Sequence, residues 1–183
     1  KYIVETKKRD IVLQKTSDWE LPEMLNFGGN YAELKTKKSA MQPFYYDNKW
    51  KTEEAFIKFL EKSDQIEWWF KNGDRDSTFF AVSYIENGEQ KPFYVDFITQ
   101  FKNGSLGLFD TKSGNTIKDA REKSDGLQKF LKEHKGISGG IVANTNSKDF
   151  SGRWMCYKGK GIELNPDDFS NWELLEIYKY GKD

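Results

Sequence analysis

Tyr94-Val95-Asp96-Phe97, a turn at Asn103-Gly104, and then Phe109-Asp110-Thr111-Lys112-Ser113-Gly114 form the stretch on which the reading of this chain depends. Residues 93–101 are largely β-branched and aromatic, and 106–110 are mostly apolar again, so the two runs read as a β-hairpin. They carry two carboxylates and a lysine on otherwise apolar strands. Burying two like charges together is costly unless a cation neutralises them, and a hard divalent ion would do so.

Register decides whether the two aspartates can meet. Alternation along a strand puts Asp110 and Lys112 on one face and Thr111 on the other. A two-residue turn would pair Lys102 with Ser105 and set Asp96 opposite Thr111. A three-residue loop with Gly104 left-handed pairs Phe101 with Ser105 and brings Asp96 opposite Asp110. Both faces of these strands are apolar, as in a sheet covered on both sides, so a two-acid site requires the bulged turn.

Working outward, Thr52 is the expected N-cap of a helix ending near Lys62, with Phe56, Phe59 and Leu60 as its buried stripe and Glu53 near the inner face. A second helix is expected over 116–133, with Asp119 at its N3 capping position. Its inner stripe is Ile117, Ala120, Ser124, Leu127 and Leu131, flanked by Arg121 and Gln128. Strands are expected at 66–70, 79–84, 137–144 and 153–158, with a short final element over 172–180. Trp68 and Trp69 face opposite sides of their strand and read as core, not as one stacking platform. The order predicts an α/β fold with a mixed central sheet flanked by helices.

Residues 1–48 are the least legible. Tyr2-Ile3-Val4 and Ile11-Val12-Leu13 read as short strands, and Leu21-Pro22 and Phe27-Gly28-Gly29 as turns. The segment is expected to be an N-terminal connector packed on a core domain of residues 49–183.

Composition narrows the chemistry. With 29 basic and 29 acidic residues the chain has no global positive charge, so a nucleic-acid binder would need a local basic patch or a larger assembly. The single histidine, His134, and single cysteine, Cys156, exclude a Cys/His zinc site, a disulfide framework, a Ser-His-Asp triad and a histidine-based nuclease. Any catalysis falls to carboxylates, lysine and water. One cysteine fits a reducing, cytoplasmic setting. No apolar run approaches the ~20 residues of a membrane span, there is no signal-peptide pattern, and the start at Lys1 fits a piece of a longer polypeptide.

Asp96, then Asp110-x-Lys112, followed by a helix, resembles the PD-(D/E)XK nuclease signature. The ordered series Gln42-Pro43-Phe44-Tyr45, Glu53-x-x-Phe56, Trp68-Trp69-Phe70-Lys71-Asn72, Phe93-Tyr94-Val95-Asp96-Phe97-Ile98 and Phe109-Asp110-Thr111-Lys112-Ser113-Gly114 is similar to the C-terminal nuclease domain of type III restriction enzyme Res subunits and related DEAD/DEAH-box helicases. One departure is Val95, where that family usually has proline. The resemblance implies a restriction-endonuclease-like αβββαβ core and a Mg²⁺-dependent endodeoxyribonuclease, with Mn²⁺ as a substitute ion. Asp96, Asp110 and the Thr111 carbonyl would bind the metal. Lys112 and Glu53 would be catalytic, and Gln128 is the polar residue that the second helix would lend to the site. The implied partners are double-stranded DNA, a helicase/translocase portion of the same polypeptide, and a modification (methyltransferase) subunit.

Two rival classes follow from the same residues. Val95 and the zero net charge suit a catalytically inactive nucleic-acid-binding or protein-docking module of the same fold. Six Trp and nine Tyr suggest a carbohydrate-binding β-sandwich, but two capped amphipathic segments argue against it.

Overall fold

A computed structural model describes residues 2–6, 19–29, 31–47, 49–75, 77–159 and 164–177. Its elements run β1 (Tyr2–Thr6), β2 (Met24–Phe27), β3 (Ala32–Leu34), β4 (Met41–Gln42), β5 (Phe44–Tyr46), α1 (Lys51–Lys62) and β6 (Ile66–Lys71). There follow β7 (Val82–Glu86), β8 (Glu89–Phe93), β9 (Phe97–Phe101) and β10 (Leu106–Thr111). After a 3₁₀ turn at Gly114–Ala120 come α2 (Arg121–Glu133), β11 (Ile137–Asn144), β12 (Trp154–Tyr157) and β13 (Glu173–Leu174). Ile11-Val12-Leu13 lies outside the described residues.

The central sheet is mixed and has the order β13-β12-β11-β10-β9-β6. Strands β10 and β11 run parallel and the other pairs antiparallel. All six residues of β10 are buried, the near-continuous apolar run that a doubly covered strand requires. Phe56, Ile57 and Leu60 of α1 pack on one face with Trp69, Phe97, Phe109 and Val142. Ile117, Ala120 and Leu127 cover the other face with Trp68, Ile98, Leu108 and Ile141. The two adjacent tryptophans therefore serve opposite cores, each with its indole N–H satisfied: Trp68 by Gln100 at 2.6 Å, Trp69 by Glu61 at 2.7 Å. No described helix is long and apolar enough to cross a membrane.

Local readings of the sequence differ from the structure at four places. The N-cap of α1 is Trp50, and the hydroxyl of Thr52 instead donates to Ser113 at 2.9 Å, tying the start of α1 to the loop after β10. The reciprocal cap of the second helical segment joins Ser113 and Thr116, one turn before Asp119. The strand expected over 79–84 is one arm of a hairpin, β7–β8, turned at Asn87 (φ 53°) and Gly88 (φ 81°) and lying against α2. The run 93–101 is broken at 94–96, because the Asn72 amide takes the Val95 carbonyl at 2.9 Å and the Asn72 N–H takes the Asp96 carbonyl at 2.8 Å.

The described part of residues 1–48 packs on this core. Ala40, Met41 and Phe44 are buried in it, and Ser39 bridges the outer edge of β6 at Trp69.

Candidate functional site

The hairpin turn is the bulged one. Phe101 N–H donates to Ser105 O at 2.9 Å and Gly104 adopts φ +86°, so Phe97 pairs with Phe109 and the next residues along, Asp96 and Asp110, are opposite each other. Their carboxylates nevertheless take different directions. Thr111 donates both its N–H (2.8 Å) and its hydroxyl (2.7 Å) to Asp96 Oδ2, so this carboxylate ends the β9–β10 ladder where a backbone carbonyl would otherwise sit. Asp96 Oδ1 faces Lys71 Nζ at 3.4 Å, and Lys71 also reaches Glu53 Oε2 at 3.3 Å from beneath α1. Asp110 alternates with Phe109 and lies on the α2 face, ion-paired through Oδ2 with Lys112.

Each position has a local cause. Lys71 is two residues beyond Trp69 on β6, so it shares the α1 face, and its ammonium lies 5.4 Å from the centre of the Phe97 ring. Glu53 sits in the first turn of α1, three residues before the buried Phe56. The buried Asn72 orients Asp96 through the bonds that stop β9, and also donates to Phe80 O at 2.8 Å and accepts from Phe80 N–H at 3.1 Å. Lys71 and Asn72 belonged to a quoted motif, yet neither was singled out for the site. The available signal was the i, i+2 spacing of Lys71 from Trp69 on a strand bordering Asp96.

Gln128 is not brought to this cluster. Its side chain donates to the Gly139 carbonyl on β11 at 3.0 Å, a link between α2 and the sheet.

The electrostatics follow from burial. Three acids, Glu53, Asp96 and Asp110, face two lysines, Lys71 and Lys112, leaving one negative charge in excess when all are ionised. Burial pushes Asp110 up to about 7, the charge of Asp96 adds to this, and Lys112 opposes it. Burial also raises Glu53 against the pull of Lys71. Burial would raise Asp96 as well, but Lys71, Lys112 and the two Thr111 bonds outweigh it and hold its carboxyl below the ordinary range. Both lysines lie above their ordinary value, because the neighbouring carboxylates outweigh desolvation.

This donor set suits a hard divalent cation. Apart from its pair with Lys112, the buried Asp110 Oδ2 accepts no hydrogen bond, and the cluster carries surplus negative charge. Among the described residues no group of three or more His, Cys, Asp or Glu is placed to hold a metal, so the fit is to an ion needing one or two carboxylates and keeping its waters, as Mg²⁺ does.

A cleft of about 550 Å³ opens on the Glu53, Lys71 and Asp96 side. Asp110 and Lys112 do not line it.

The model of the YagJ family matches residues 33–157, a span from β3 to the end of β12 that includes all five charged residues of the cluster, and the chain belongs to that family. No curated protein and no solved structure matches the chain.

Proposed function

We propose that this member of the YagJ family is a metal-dependent DNA endonuclease with a restriction-endonuclease-like αβββαβ core. The observation that carries the reading is the placement of Asp96 opposite Asp110 by the bulged turn at Gly104, with Lys112 on the face of Asp110 and Glu53 and Lys71 alongside. In this reading α1, β6, β9, β10, α2 and β11 form the core, and β7–β8 is an inserted hairpin.

Asp96 and Asp110 would hold Mg²⁺ or Mn²⁺ with the Thr111 carbonyl. Such an ion, when bound, polarises the scissile phosphate and lowers the pKa of coordinated water. Lys112, a compact point charge, stabilises charge that develops on the phosphate oxygens. Glu53, raised by burial, is the carboxylate best matched to accept a proton from the attacking water. Lys71 keeps Glu53 and Asp96 together before substrate arrives. The buried Cys156 suits a reducing cytoplasmic setting. Double-stranded DNA, a helicase portion of a longer polypeptide and a modification subunit belong to the same proposal.

The test is nicking of supercoiled plasmid with Mg²⁺, with EDTA, and by Lys112→Ala and Asp96→Asn variants shown to be folded. Cleavage that requires Mg²⁺ and drops at least ~10²-fold in both variants supports the assignment. Equal traces for variants and parent would overturn it.

One observation favours the inactive docking module. Lys71 and Lys112 already neutralise the two aspartates from different sides, as in a cluster kept for structure. Absence of cleavage together with tight binding of DNA or a partner protein would select that reading.

A further inference from the structure

The cleft beside Glu53, Lys71 and Asp96 has walls of a particular kind. Phe27, Tyr31, Tyr45, Tyr46, Trp50 and Tyr94 line it. Trp50 is 61% exposed and Tyr31 40%, far above the other large aromatic side chains of the core. Their rings are not spent on one tight internal stack. Phe27 meets Tyr31 edge-on at 5.4 Å and Tyr45 at a tilt at 6.0 Å, which leaves π-faces toward the opening. The acids on its rim carry exposed cations: Lys49 pairs with Asp47 at 3.4 Å and Arg75 with Asp74 at 3.5 Å, with side chains 76% and 87% exposed. Mobile basic heads around neutral aromatic walls make a site for a chain of anionic groups bearing flat, stackable units.

We propose that this cleft binds unpaired nucleotides of single-stranded DNA, stacking their bases on Trp50 and Tyr31 and leading the backbone to the Asp96 cluster. The inference builds on the nuclease reading and narrows its substrate from duplex to a single strand or an unpaired junction. Three features favour a strand over a duplex. The cleft volume is that of a small-molecule site and holds one or two nucleotides, not a helix. Bases within a duplex offer no free π-face to a wall of rings. The chain carries no net positive charge with which to follow two phosphate backbones. Trp68 and Trp69, in contrast, are 2% and 0% exposed and take no part.

The experiment is fluorescence anisotropy of a short labelled oligonucleotide, single-stranded or annealed to its complement, with Ca²⁺ in place of Mg²⁺ to hold back turnover. The full chain is compared with Trp50→Ala, Tyr31→Ala and Tyr31→Phe. Both positions are exposed, so thermal melts should coincide with that of the parent. The expected result is single-strand binding at least about tenfold tighter than duplex, weakened about tenfold by Trp50→Ala and Tyr31→Ala, and retained by Tyr31→Phe. Equal affinity for strand and duplex, or alanine variants that bind as the parent does, would overturn the proposal. Plasmid cleavage in Mg²⁺ is scored separately. Strand-selective binding without cleavage supports the cleft and removes the nuclease, whereas cleavage with no strand preference keeps the nuclease and overturns the cleft.

Discussion

Asp96 Oδ2 accepts two hydrogen bonds from Thr111, at 2.8 Å from the backbone N–H and 2.7 Å from the hydroxyl, and this pair of bonds sets where the β9–β10 ladder ends. Thr111→Val keeps the shape and the N–H bond but removes the hydroxyl. It is expected to cost about 1.5–3 kcal/mol, since the acceptor is charged, and to raise the Asp96 pKa. Urea unfolding measures the first and carboxylate NMR titration the second. A variant unchanged in both would show that the hydroxyl bond is dispensable.

Lys71 holds Glu53 and Asp96 at 3.3 and 3.4 Å. Replacing it with Met leaves two partly buried carboxylates without their cation, expected to cost about 3–5 kcal/mol in metal-free buffer. Mg²⁺ should then raise the melting temperature of Lys71→Met more than that of the parent. An equal metal response in the two proteins would place the ion elsewhere.

Asp110 is raised from 3.8 to about 7 by burial and by the charge of Asp96. Between those values the folded chain keeps a proton that the unfolded chain has released, so stability is full at low pH and falls as pH rises toward 7. Glu53, also raised, adds in the same direction, while Asp96, held low, acts oppositely only in strong acid. Denaturant midpoints should therefore decline from about pH 5 to about pH 7, with a slope of at most about 1.4 kcal/mol per unit for Asp110. Asp110→Asn should flatten most of that slope, and a variant that retains it would assign the titration to another group.

Asn72→Ala strips the bonds to Val95 O, Phe80 O and Phe80 N–H at 2.9, 2.8 and 3.1 Å. With these buried groups unsatisfied, a loss of at least about 3 kcal/mol is expected by chemical denaturation. Gly139 tests the sheet from the other side. It has φ +144°, and a Cβ there would collide with the Leu108 carbonyl, so Gly139→Ala should lower the melting temperature sharply, whereas Gly88→Ala, in open space, should lose only the cost of its positive φ.

What could be read in advance was whatever depends on near neighbours in sequence. The stripes of Phe56 and Leu60 and of Ile117, Ala120, Ser124 and Leu127 are buried as periodicity required, although Ile57 takes the buried place expected of Phe59. The Gly104 bulge followed from asking which register an acid pair would need. Asn87-Gly88 carried the strongest hairpin signal in the chain and was passed over because attention went to Asn103-Gly104. The break at 94–96 was not legible, since it depends on Asn72, more than twenty residues upstream in sequence. The same distance hid Lys71, whose role exists only once β6 lies beside β9. Gln128 had the right helix face, but its amide is consumed by Gly139.

The placement of Asp110 on β10, flanked by β9 and β11 and buried along its whole length, separates two rates of motion. Amide hydrogens of 106–111 should be among the last to exchange with deuterated solvent, opening only when the whole domain does. The outer wall of the cleft is made of short strands such as β2, where Met24 is half exposed, and its amides should exchange through small local excursions. A ligand could then be admitted and released many times while the acid and lysine groups keep their spacing.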